Sequence, residues 1–129
     1  VMNRMYKNHI RGLSGNDDCG QMSAWYLCSA MGFYPVCPGT DQYVLGAPYL
    51  PYLKLSLPNG NTFEIKAPGV GDKKRYVKSV RLNGKPYNKM YITHKDITDG
   101  GVLEFVMSAS PSKGRGKAKS DKPYSLTME

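Results

Sequence analysis

One helical segment, Gln21–Met31, sets the terms on which the rest of the chain must fold. Met22, Trp25, Tyr26 and Ser29 share a stripe, and Ala24, Leu27, Cys28, Ala30 and Met31 make most of the remaining circumference apolar. A helix apolar nearly all round is buried on several sides. Gly32 supplies a left-handed stop, and Pro35 and Pro38 forbid resumption. From residue 39 the apolar period is two, so only a β-body remains to cover the helix. A chain of 129 residues makes one domain, or a small domain carrying a piece of another. The expectation is one buried helix, of which this chain covers one or two sides.

The β-region reads strand by strand. Tyr43–Leu45 is a short strand, and residues 47–51 are a proline-stiffened connection. Leu53, Leu55 and Leu57 alternate with Lys54 and Ser56, which gives one buried face. Asn59-Gly60 is a type I′ hairpin signal, with Thr62, Phe63, Ile65 and Ala67 on the return strand. Residues 68–74 form an exposed loop. Tyr76–Leu82 is turned by Asn83-Gly84 into Lys85–Tyr87. Thr93 is placed as an N-cap with Asp96 at the capping-box position, and Asp99-Gly100-Gly101 ends that helical turn. Leu103, Phe105 and Met107 mark the last strand. The expected class is α+β, mainly β: one helix on a small antiparallel sheet or sandwich of about six strands. Residues 112–129 are basic and polar with almost no apolar anchor before Tyr124, a composition that predicts a disordered tail.

Charge and cysteine usage narrow the function. The net charge of +8 is absent from residues 1–50 and concentrated in the β-region and tail. Lys54, Lys66, Lys78 and Arg81 alternate with apolar residues, the pattern of a solvated sheet face, so nucleic acid is not the expected partner. No apolar run approaches the roughly 20 residues that span a bilayer, and no membrane partner is expected. The opening Val1-Met2-Asn3-Arg4 has no secretory signal and no initiator Met, as in an excised fragment. Cys19, Cys28 and Cys37 match no zinc spacing, and Cys28 reads as a small buried hydrophobe.

The chemistry concentrates just before the helix. Gly15-Asn16-Asp17-Asp18-Cys19-Gly20 is a glycine-hinged turn that aims two acids at a helix N-terminus. Capping needs only one of them. Adjacent acids lie on one side of any bound ligand, but either one can act as a base with its partner elsewhere. His94, in a Thr-capped turn, reads as structural. Trp25, Tyr34 and Tyr43 are aromatic candidates for stacking on a ligand, set against ordinary core roles.

Residues 15–26 and Met31-Gly32-Phe33-Tyr34-Pro35 resemble the C-terminal segment of the calcium-dependent α-mannosidases of glycoside hydrolase family 92. Pro38-Gly39, Tyr43–Pro48, Leu57–Gly60, Leu82–Tyr87 and Tyr91–His94 continue the likeness, which covers roughly residues 1–111. Those enzymes are several times longer than this chain. The resemblance implies that residues 1–40 close a catalytic (α/α)6 barrel and that residues 41–111 form a β-region beside it. It implies an exo-acting, inverting α-1,2-mannosidase of mannose-rich glycans, exported and calcium-dependent, with this piece inactive alone. Asp18 takes the place of the general base, Asp17 orients water or the turn, and Asn16 and Trp25 are substrate contacts. No metal ligand is assigned in this chain, and the general acid belongs to an earlier part of the barrel. The exposed helix face predicts self-association. The competing reading is a stand-alone carbohydrate-binding or adhesion β-module, which leaves Asp17, Asp18 and the apolar helix unexplained.

Overall fold

The computed structural model describes residues 7–8, 21–35, 39–112 and 114–125. Helix α1 (Gln21–Met31) runs as its pattern predicts. Gly32 ends it at φ +89°, and its N–H donates to Ser29 O at 3.1 Å. The Tyr49 N–H reaches back to Ala30 O at 3.0 Å and satisfies one carbonyl that the helix terminus would leave free.

Among the described residues, eight strands follow in two sheets. The first is three-stranded, in the order β1 (Phe33–Tyr34), β2 (Gln42–Leu45), β7 (Tyr91–Thr93), and every pairing is antiparallel. The second is five-stranded: β3 (Tyr52–Ser56), β4 (Thr62–Lys66), β8 (Gly101–Ser108), β5 (Tyr76–Leu82), β6 (Lys85–Pro86). Here the antiparallel expectation is corrected. β4 and β8 run parallel, with Ile65 opposite Leu103. A parallel pair needs a long crossover, and residues 67–100 supply it by carrying β5, β6, β7 and the short helix α2 (His94–Thr98).

Both sheets close over one core. Phe63 and Ile65 of β4, Leu103, Phe105 and Met107 of β8, and Val80 of β5 meet Phe33, Leu45 and Ile92 of the smaller sheet. Ile97 of α2 joins them. Phe63, Phe105, Ile65, Ile92 and Leu103 are fully buried. Each stabilises the fold by roughly 1.5–3 kcal/mol relative to an exposed position. A register shift between Val77 and Ser79 inserts Lys78 as an extra residue in β5.

The turns are only partly those the dipeptides suggest. Asn83 (φ 52°) and Gly84 (φ 80°) form the two-residue, doubly left-handed turn expected of Asn-Gly. At Asn59-Gly60 only Gly60 is left-handed. Its N–H bonds Leu57 O at 3.0 Å, and the Leu57 N–H bonds Asn61 O at 2.9 Å, which closes a three-residue loop. Pro58 is the reason, because it pre-sets the first central position of a type I turn. The capping box forms as read: Thr93 Oγ1 accepts from the Asp96 N–H at 3.2 Å, and Asp96 Oδ2 accepts from the Thr93 N–H at 2.9 Å.

The β-body covers only part of the helix, the incomplete cover expected of it. Leu27 is 61% exposed, Ser23 and Ala24 are exposed, and Ala30 alone is buried among the helix side chains described. The β-body touches α1 near its C-terminal end, and Trp25, Tyr26, Cys28, Ser29 and Met31 are half-buried. The basic tail, in contrast, has a place on the body over residues 114–125. Met90 N donates to Asp121 O at 2.7 Å, Tyr124 N to Gln42 Oε1 at 2.7 Å, and Arg115 Nη2 to Lys89 O at 3.3 Å. These bonds use main-chain groups on at least one side of each pair, so side-chain composition carried no sign of them.

Candidate active site

In sequence the acidic turn immediately precedes Gln21, the first residue of α1. Asn16, Asp17, Asp18 and Cys19 lie outside the described residues, so their geometry is not described. Trp25 lies one turn into α1 and is half-buried. It is therefore the candidate residue whose place in the fold is defined, and it rides on the helix that the turn opens.

The other aromatic candidates and His94 lie within the described residues. His94 begins α2 at the surface, with its ring stacked 6.1 Å from that of Tyr43 and Nδ1 3.1 Å from the Tyr43 hydroxyl. Tyr43 in turn meets Phe33 edge-on at 5.7 Å. These two contacts hold the Tyr43 ring between Phe33 of β1 and His94 of α2. Tyr34 sits half-buried in β1. Cys28 is a free, half-buried thiol, and burial pushes its pKa up, the wrong direction for a nucleophile. Tyr87 donates to Tyr91 O at 2.7 Å. Its pKa is pushed up to about 12, first by burial and then by Asp96 and Tyr91, which marks a neutral structural phenol.

Among the described residues no three His, Cys, Asp or Glu side chains come close enough to hold a metal ion. No described helix is long and apolar enough to cross a membrane.

Comparison with known proteins supplies what the local geometry leaves open. Residues 1–109 match the glycosyl hydrolase family 92 catalytic domain. The chain belongs to glycosyl hydrolase family 92. The match includes the acidic turn, α1 and nearly all of the β-body. A family 92 inverting mannosidase of Bacteroides thetaiotaomicron superposes with a TM-score of 0.89 at 40% identity, covering 97% of this chain. A family 92 α-mannosidase of the same organism, solved with mannoimidazole, gives a TM-score of 0.91 at 43% identity over 97% of this chain. An uncharacterised secreted glycosidase of Arthroderma benhamiae is 30% identical over 124 residues, 94% of this chain. The chain spans 17%, 16% and 16% of the lengths of these three proteins, respectively.

Sequence reading passed over one feature near α1. Tyr49 and Leu50, in the proline-stiffened connection, are 45% and 40% exposed beside the exposed Leu27. The near-complete apolar circumference of the helix was the available signal.

Proposed function

We propose that this chain is the part of an exported, exo-acting, inverting α-1,2-mannosidase that brings the general base to terminal mannose of mannose-rich glycans. The observation that carries the reading is the family 92 match across residues 1–109, which includes the paired acids of the turn. The named activities of the Bacteroides relatives support the substrate class, and the secreted Arthroderma relative supports export.

In this reading Asp18 accepts a proton from water. The water attacks the anomeric carbon on the face opposite the departing oxygen, and the configuration inverts. Inversion requires a second carboxyl group about 6.5–9.5 Å away to protonate that oxygen. Asp17 is beside Asp18 in sequence and on the same side, so the acid comes from another part of the enzyme. Asp17 orients the water or the turn, Asn16 offers an amide to water or sugar, and Trp25 offers an aromatic edge to the ring. Residues 1–40 complete a helical barrel, residues 41–111 brace it, and residues 112–129 are a basic tail.

Calcium belongs to the enzyme in this proposal. The described residues do not form a site for it, while Asn16, Asp17 and Asp18 provide hard oxygens of the kind it takes, too few for its usual six to eight ligands. No step above is routed through it. A stand-alone glycan-binding module remains the second reading, favoured by the closed core of the β-body. A glycan array separates the two, since only a module binds mannose glycans usefully in isolation.

The direct test grafts this chain in place of the matching segment of the Bacteroides α-mannosidase. The graft is expected to release mannose from an α-1,2-mannobiose, with the β-anomer appearing first by NMR. Absence of turnover, or initial release of the α-anomer, would refute the proposal.

A further inference from the structure

The basic tail is strapped along the connection from β6 into β7. Arg115 Nη2 donates to Lys89 O at 3.3 Å, the Met90 N–H to Asp121 O at 2.7 Å, and the Tyr91 hydroxyl to Ser120 O at 3.5 Å. Gly116, at φ +66°, fits so closely against Met90 that a Cβ there would lie 2.5 Å from the Met90 Cγ. These contacts fix the backbone that carries Lys117, Lys119 and Lys122, and all three side chains are exposed, as is Lys89. The strap therefore presents its cations on an ordered frame, with less entropy left to lose when they are engaged.

The strap differs from the other basic surface in what stands beside its charges. On the outer face of the five-stranded sheet Lys54 lies opposite Glu64, and Lys66 and Arg81 both lie opposite Glu104. Opposite charges across neighbouring strands offset one another. In residues 115–122 Asp121 is the one acid among Arg115, Lys117, Lys119 and Lys122, and no ion pair joins it to them among the described residues. Arg115 is half-buried, and its Nε has no acceptor. A cation in that setting is screened less than a solvated lysine, so its field reaches further.

We infer that this strap is a docking surface for an acidic polysaccharide, a polymer carrying carboxylate or sulfate groups along its length, with Lys89, Lys117, Lys119 and Lys122 as its contacts. Charge complementarity selects the partner: a row of ordered cations without local acids attracts a row of anions and gains nothing from a neutral chain. The choice of polysaccharide over nucleic acid rests on the export proposed above, since an exported enzyme of glycans meets acidic polysaccharides outside the cell. Single-stranded nucleic acid also gains from aromatic rings on which bases stack, and the Tyr91 ring beside the strap already carries Lys89 Nζ 5.5 Å from its centroid. The surface would hold the enzyme on an acidic matrix without taking part in the cleavage of mannose.

The test titrates the 129-residue chain with dextran sulfate, polygalacturonate and neutral mannan by calorimetry at low salt. Binding to the acidic polymers and not to mannan is expected, with affinity falling steeply as salt is added. Binding to one acidic polymer alone supports the inference and tells sulfate from carboxylate. Lys117→Gln combined with Lys119→Gln is expected to weaken binding about tenfold or more. Lys54→Gln combined with Arg81→Gln removes the same charge from the sheet face, and is expected to change binding less than about twofold. The Met90 amide should stay protected from hydrogen exchange in the Lys117 and Lys119 variant, which shows that the strap is still docked. Equal weakening by the two double variants overturns the inference, because net charge alone then holds the polymer. Failure to bind either acidic polymer overturns it, and so does tighter binding of single-stranded DNA than of both. None of these readouts uses turnover, so an inactive graft refutes the mannosidase reading alone.

Discussion

Helix α1 and strand β8 carry comparable densities of apolar residues, and they end in opposite environments. In β8 the alternation of Leu103, Phe105 and Met107 finds β4 on one side, β5 on the other and the smaller sheet across the core. All three residues are buried. In α1 the same apolar content meets Tyr49, Leu50 and the β3 edge among the described residues, and Leu27 stays 61% exposed. Apolar pattern states what a segment needs, whereas the neighbours within reach decide what it gets. The β-body is a closed unit, and α1 is a surface built for something further.

That contrast can be broken or sharpened by substitution. The largest effect belongs to the turn ahead of α1. In the active graft, Asp18→Asn is expected to lower kcat by about 10²–10⁴-fold, because an amide takes no proton from water. Asp17→Asn should be milder, and a reversed ranking of the two in steady-state kinetics would move the base to Asp17. Next, Phe105→Ala should destabilise the isolated chain by about 3–5 kcal/mol, a filled core position becoming a cavity. Leu27→Ala should stay within about 0.5 kcal/mol, as for an uncommitted surface site. Urea unfolding of both variants measures the contrast directly, and similar losses would erase it.

Smaller effects probe the joints between the two regions. Gly32→Ala places a Cβ at φ +89°, 3.1 Å from Pro48, where α1 hands over to β1. The left-handed strain alone costs roughly 1–2 kcal/mol, and a thermal melt should show it. Thr93→Ala removes half of the α2 capping box at a cost of about 1 kcal/mol. The smallest effect appears only in alkali. The Tyr87 phenol ionises near 12 in the fold against an ordinary value near 10, so the folded state favours the neutral form. Stability is whole below pH about 10 and falls as pH rises through about 12, where the phenol ionises in the fold. Tyr87→Phe should lack that alkaline limb in a pH series of melts.

The parts of the fold that showed in the sequence are those governed by local rules. The β8 alternation, the Thr93–Asp96 box and the Asn83-Gly84 turn each depend on residues within a few positions of one another. The parallel pairing of β4 with β8 does not, because period two marks a buried face without naming the strand beside it. Strand β1 is two residues long and has no period to read. The placement of residues 114–125 depends on the backbone groups of Met90, Asp121 and Tyr124, which composition does not register. At the candidate site the acids stood out because two carboxylates exceed what a helix cap uses. The general acid that the proposed mechanism requires did not, since it would be placed opposite the base by the tertiary fold.

The central claim is that the chain holds one carboxyl side of a two-sided site. It is tested most directly by incubating the isolated 129-residue chain and its Bacteroides graft with α-1,2-mannobiose and excess calcium, and following free mannose. The account predicts mannose from the graft and none from the isolated chain. Turnover by the isolated chain would contradict it, because both carboxyl groups would then have to lie within these residues.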